Sequence, residues 1–117
     1  MRVLVVDDEA PIRFLVEAIF ADEGDTVFAA HDGVAAMALL ERIPEPDVII
    51  LDLNMPRMGG RDFFQALRES GRTVAVVIVS AVGARKAASE LGAEASVEKP
   101  FDLSTLVNVV HEAAVTA

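Results

Sequence analysis

The feature that most constrains this chain is a regular alternation of two kinds of segment. Short apolar runs rich in Val and Ile are each followed by a stretch whose apolar residues recur at helical spacing. The runs lie at residues 3–6, 26–30, 48–51, 74–79 and 95–97. They do not alternate with polar residues, which predicts strands covered on both faces, the condition of a parallel sheet. The helical stripes are Ile12, Leu15, Val16, Ile19 and Phe20; Gly33, Ala36, Met37 and Leu40; Gly60, Phe63, Phe64 and Leu67; Ala84, Ala87, Ala88 and Leu91; and Leu103, Leu106, Val107, Val110 and Ala114. Pro11 sits where a helix start tolerates it, Gly92 falls at a C-cap position and Asp102 at an N-cap. This βα succession predicts a doubly wound α/β sheet.

With 117 residues, 53% of them hydrophobic, the chain suits one domain spanning 1–117 around one core. There is no cysteine, so disulfides and thiolate metal sites are excluded. No apolar run approaches membrane-spanning length, and the N-terminus opens into a strand with no signal-peptide core, so a cytoplasmic location without membrane insertion is expected. A net charge of −9 without a basic cluster argues against direct nucleic-acid binding.

In doubly wound sheets, ligands bind beyond the carboxyl ends of the strands, where strand order reverses. Here those ends carry Asp7 and Asp8, Asp52, Ser80 and Lys99. Asp and Ser commonly cap helices and turns, but capping alone does not ask for acids on the first and third strands and a lysine on the fifth. Three crowded carboxylates resist ionising unless a cation sits among them. Oxygen ligands with open positions suit a hard ion such as Mg²⁺, and a lysine beside them supplies a point charge for phosphate. The arrangement reads as a site that receives a phosphoryl group on an aspartate.

The chain resembles a response-regulator receiver domain of two-component signalling over nearly its whole length. The resemblance rests on Val5-Val6-Asp7-Asp8-Glu9, the segment from Ile49 through Asp52-Leu53-Asn54-Met55-Pro56-Arg57-Met58-Gly59-Gly60, Ser80-Ala81, and Gly92-Ala93 leading to Lys99-Pro100-Phe101. It implies a flavodoxin-like sheet of five strands in order 2-1-3-4-5 and a receiver of the single-domain type. It also implies that Asp52 takes a phosphoryl group from a partner histidine kinase or phosphotransfer protein. Asp8 would hold Mg²⁺ directly, Asp7 through water, and Asn54 through its backbone carbonyl. Ser80, with Ala81 next to it, and Lys99 would bind the phosphoryl group. Pro56 and Gly60 belong to the structural motif after Asp52, and a cis bond is expected before Pro100. Signalling to a downstream protein would be by contact, with no enzymatic role beyond the domain's own phosphotransfer and dephosphorylation.

The sequence departs from the family in two places. Ser96 stands three residues before Lys99, where the family carries a switch aromatic, and the interval from Ser80 to Lys99 is a few residues short. Two readings of output follow: a different lever such as the loop at residues 82–85, or a harmless surface substitution at Ser96 with motion of Ser80 alone sufficing. Two other classes compete: a receiver-like module that binds partners without phosphorylation, and a Mg²⁺-dependent phosphohydrolase with an aspartyl-phosphate intermediate. Retention of Asp8, Asp52, Ser80 and Lys99 argues against the first. Asn54 argues against the second, because an amide cannot serve as the acid–base group. His31 and His111 are read as ordinary surface residues, Glu90, Glu94 and Glu98 as a solvated acidic surface, and Arg13 and Arg57 as edges of a kinase-docking face.

Overall fold

Each apolar run becomes a strand because its β-branched side chains pack well on a pleated surface buried on both sides. The computed structural model describes residues 1–116. Its strands are β1 (Arg2–Val6), β2 (Thr26–Ala30), β3 (Val48–Asp52), β4 (Ala75–Ser80) and β5 (Ala95–Glu98). They alternate with α1 (Ala10–Asp22), α2 (Gly33–Leu40), α3 (Gly60–Glu69), α4 (Ala84–Leu91) and α5 (Leu103–Thr116). All pairings are parallel and the order is β2-β1-β3-β4-β5, as the resemblance implies.

The side-chain period of two divides the core into two layers. Leu4, Val6, Ile49, Leu51, Val76 and Ile78 face α2, α3 and α4, where Leu40, Phe63, Leu67 and Ala87 meet them. Val3, Val5, Ile50 and Val77 face α1 and α5, meeting Val16, Phe20, Leu106 and Val110. Among the described residues no helix is long and apolar enough to cross a membrane.

Three strands, β3, β4 and β5, run one residue further than their apolar runs suggest. Asp52 pairs in register with Val79, and Ser80 with Glu98, because the neighbouring strand still offers ladder partners. Polar side chains are thereby carried on rigid strand ends. Gly92 ends α4 in the left-handed region at φ 76°, and its N–H reaches the Ala88 carbonyl. Asp102 starts α5, its carboxylate accepting from the Thr105 N–H at 3.4 Å and the Ser104 hydroxyl at 2.7 Å.

Two surface expectations need correction. The segment after Ser80 is shorter than expected: only Ala81, Val82 and Gly83 link β4 to α4, and Arg85 already lies in the helix. Burial of Ala84 docks that helix start directly. Glu94 is not merely solvated. Its carboxylate accepts the Val76 N–H at 2.6 Å while its own N–H donates to the Val76 carbonyl at 3.0 Å, so it pins the start of β5 to β4.

Candidate functional site

Sheet order reverses at β1 and β3, because α1 after β1 and α3 after β3 depart to opposite faces and leave a crevice between these strands. Asp7 enters it directly after β1 and is buried. Its carboxylate accepts the Glu9 N–H at 2.9 Å and the Lys99 ammonium at 3.0 Å. Asp52, at the end of β3, is only 4% exposed. Lys99 Nζ lies 3.7 Å from Asp52 Oδ1 and 3.0 Å from Glu9 Oε1. The exposed Asp8 and Glu9 complete the group: one carboxylate oxygen from each of Asp7, Asp8, Glu9 and Asp52 lies within 4.8 Å of the others. Residues far apart in sequence thus converge as their strand positions predict. The Lys99–Pro100 bond is cis.

The site is electrostatically overloaded with anions. Burial and the adjacent Asp7 charge push the Asp52 carboxyl up to about 6, against the pull of Lys99 and of the Asn54 N–H. Burial lowers Lys99, but hydrogen bonds to Asp7 and Glu9 outweigh it and hold the ammonium above its ordinary value. One ammonium reaches three of the four carboxylates, Asp7, Glu9 and Asp52. The donors are hard oxygens converging on one point, which is the chemistry that a hard divalent cation requires.

The remaining expected residues surround this cluster. Asn54 is exposed and its N–H reaches Asp52 Oδ1 at 3.4 Å. Ser80 is buried, and its hydroxyl donates to the Val82 carbonyl at 3.1 Å. Ala81 is exposed in the loop. A cleft of about 480 Å³ opens beside them, lined by Asn54, Gly60, Arg61, Ser80, Val82 and Lys86. Gly60 is required by close approach: a Cβ there would lie 2.4 Å from the Asp52 carbonyl oxygen and 2.6 Å from the Leu53 Cα. The start of α3 therefore packs directly on the Asp52 backbone. Pro56 lies on the exposed crest of the loop between them. Ser96 pairs with Ile78 on the edge strand and is half-buried beside a hollow of about 280 Å³ that Val109 also lines.

Several residues do more than the sequence reading assigned to them. Glu9, read only as part of a motif, is a partner of Lys99; its place beside Asp7-Asp8 was the available signal. Arg13, expected at a docking edge, donates instead to the Asp7 carbonyl at 2.8 Å and so braces the turn that aims Asp7. Arg57 is spent on Asp32, 25 residues away, which no local pattern reveals. His111 is also no ordinary surface residue: its Nε2 lies 2.8 Å from Asp25 and its ring stands edge-on to Phe20.

Fold and rim together define a doubly wound domain that gathers four carboxylates and one lysine at the carboxyl edge of its sheet. The family model of the response regulator receiver domain matches residues 3–111, and the chain belongs to that family, whose members act in two-component systems. It is 38% identical over 117 aligned positions to the alkaline phosphatase synthesis transcriptional regulatory protein SphR of Synechococcus elongatus, covering 91% of this chain and 46% of that protein. It thus spans about half the length of that relative and of others it matches. Sporulation initiation phosphotransferase F of Bacillus subtilis is 30% identical, with 95% of this chain and 91% of that protein covered. Among solved structures, the receiver domain of NtrX from Brucella abortus superposes with a TM-score of 0.87 at 32% identity, covering 98% of this chain and 99% of that one.

Proposed function

We propose that this domain is a phosphorylation-dependent signalling switch that accepts a phosphoryl group on Asp52 from the phosphohistidine of a sensor kinase or phosphotransfer protein. The observation that carries this reading is the position of Asp52: buried, held up near 6 by burial and Asp7, yet within 3.7 Å of the Lys99 ammonium. Asp52 Oδ would attack phosphorus as the N–P bond breaks, its electron pair returning to the donor imidazole. Lys99 would stabilise charge on the equatorial oxygens, and the Ser80 hydroxyl would donate to one of them. Mg²⁺, held by Asp7, Asp8, Asp52 and the Asn54 carbonyl, would neutralise the mutual repulsion of carboxylate and phosphoryl group. Positioning supplies the rest, so the chain needs no further catalytic group and is no enzyme beyond its own transfer and dephosphorylation.

A donor surface adjoins the site. A hollow of about 510 Å³ is lined by Glu9, Ile12, Leu15, Ala81, Lys99 and Pro100, and Phe14 and Leu15 of α1 are 63% and 43% exposed. An apolar, rim-edged surface of this kind suits a partner helix carrying the phosphohistidine. The relatives' naming as regulators and as a phosphotransferase supports the same role; a cytoplasmic setting and a downstream protein target belong to the same proposal. For output, the Ser80 hydroxyl would have to leave the Val82 carbonyl to reach a phosphoryl oxygen. That exchange frees the three-residue loop before α4 and needs no aromatic at Ser96.

Incubation with acetyl phosphate and Mg²⁺ followed by intact mass measurement tests the reading. The parent should gain one phosphoryl group and Asp52→Asn none; equal labelling of both, or of neither, overturns it. Beryllofluoride should shift amide resonances through 81–86 as well as at the rim, and shifts confined to the rim would defeat the output route.

A further inference from the structure

The loop that follows Asp52 is gripped by an ion pair between the exposed Arg57 and the buried Asp32, which the phosphoryl chemistry does not use. Arg57 has φ 62°, in the left-handed region where a side-chain-bearing residue is disfavoured. Its Nε donates to Asp32 Oδ2 at 2.7 Å, and its Nη2 donates to the same oxygen. Asp32 is 1% exposed, and its other oxygen caps α2 by accepting the Ala35 N–H at 2.8 Å. That backbone bond, opposed by burial and reinforced by Arg57, holds the Asp32 carboxyl below the usual range. His31 Nε2 stands 3.2 Å from Arg57 Nη2. One residue on, the Met58 carbonyl accepts the Gly33 N–H at 3.2 Å, and the Met58 side chain fills the space that a Gly33 Cβ would need. At the loop's base the Gly60 N–H donates to the Leu53 carbonyl at 3.0 Å.

A backbone held outside its favoured region persists only where the surroundings over-determine it, and such places gather at functional sites. Here the grip falls on the segment that carries Asn54, whose own bond to Asp52 is long at 3.4 Å. We propose that Arg57 and Asp32 are positioning residues: their ion pair sets where Asn54 stands over Asp52 and thereby how readily water reaches a phosphoryl group there. The inference rests on Asp52 as the acceptor. Small displacements of a reacting geometry carry large rate effects, so a clamp one turn away is enough to tune signal lifetime.

Two variants release the clamp by different routes. Asp32→Asn keeps a capping oxygen but removes the charge, and Arg57→Gly removes the guanidinium while suiting the backbone. In the metal-free protein both should speed amide exchange at Asn54. After labelling with acetyl phosphate and Mg²⁺, both should shorten the lifetime of the phosphoryl group by roughly three- to tenfold, and the double variant should add nothing further. Asp25→Asn, altered at a distant corner, should leave the lifetime unchanged. Unchanged exchange and lifetime in both clamp variants would overturn the proposal, as would equal shortening in Asp25→Asn. If the parent takes no phosphoryl group, the acceptor reading fails by itself, and exchange at Asn54 still decides the clamp.

Discussion

Asp52 holds its proton up to a pH of about 6, against an ordinary value of 3.8, first because it is buried and next because Asp7 stands beside it. Its folded-state pKa is therefore above its unfolded one. The folded chain keeps a proton that the unfolded chain has released, so this contribution to stability is full below the ordinary value and lost as pH rises through about 6. Metal-free Asp52→Asn should consequently be more stable than the parent at about pH 7.5, by about 1 kcal/mol once solvent screening is allowed for. The gap should close toward about pH 4, where the parent carboxyl is protonated too. Urea midpoints across this range measure it, and an Asp52→Asn protein no more stable than the parent at the upper end would contradict the crowding of Asp7 on Asp52.

At the scale of elements, two helix-starting glycines face different neighbours. A Cβ on Gly60 would meet backbone, the Asp52 carbonyl oxygen at 2.4 Å, whereas a Cβ on Gly33 would meet the Met58 side chain at 2.7 Å. Backbone at a strand end cannot yield, and a methionine can turn to another rotamer. Gly60→Ala should therefore cost about 2 kcal/mol and, on the proposed role of Asp52, impair phosphoryl uptake, because α3 must retreat from the Asp52 peptide. Gly33→Ala should stay within about 1 kcal/mol of the parent, as helix propensity offsets the crowding. Equilibrium urea unfolding of both checks the ranking. The elements themselves were readable in advance because apolar periodicity and end signals agree: β-branched runs for strands, Pro11 and Asp102 at helix starts, Gly92 at a helix end. Glu94 was misread because a glutamate on the surface carries no mark of the Val76 N–H that it accepts.

Across the whole molecule, the corner opposite the functional rim is tied by Asp25, which meets His111 of α5 at 2.8 Å and the N-terminal ammonium at 3.1 Å. Burial raises the Asp25 carboxyl, but those two partners outweigh it and leave its pKa lowered. The linkage has the opposite sign from that of Asp52: stability is present above the ordinary value of 3.8 and is lost as pH falls through the lower folded value. Asp25→Asn should thus be less stable than the parent near neutral pH, with the difference shrinking on acidification below about pH 4. Acid titration of urea midpoints reads this directly. The two ends of the sheet therefore respond to pH in opposite directions.

Read alone, the order of residues was enough for five strands, five helices and the four strand ends whose Asp7, Asp52, Ser80 and Lys99 meet at one rim. Periodicity and strand-end position are local properties, and a parallel sheet turns them into a shared edge by simple geometry. Folding in three dimensions settled the rest: Glu9 joining Lys99, Arg13 bracing Asp7, Arg57 reaching Asp32, and Asp25 meeting His111. Each of those contacts uses a charged side chain, and they span 6 to 90 positions of chain. No periodicity encodes them, because a charged residue looks the same in sequence whether it faces water or a partner.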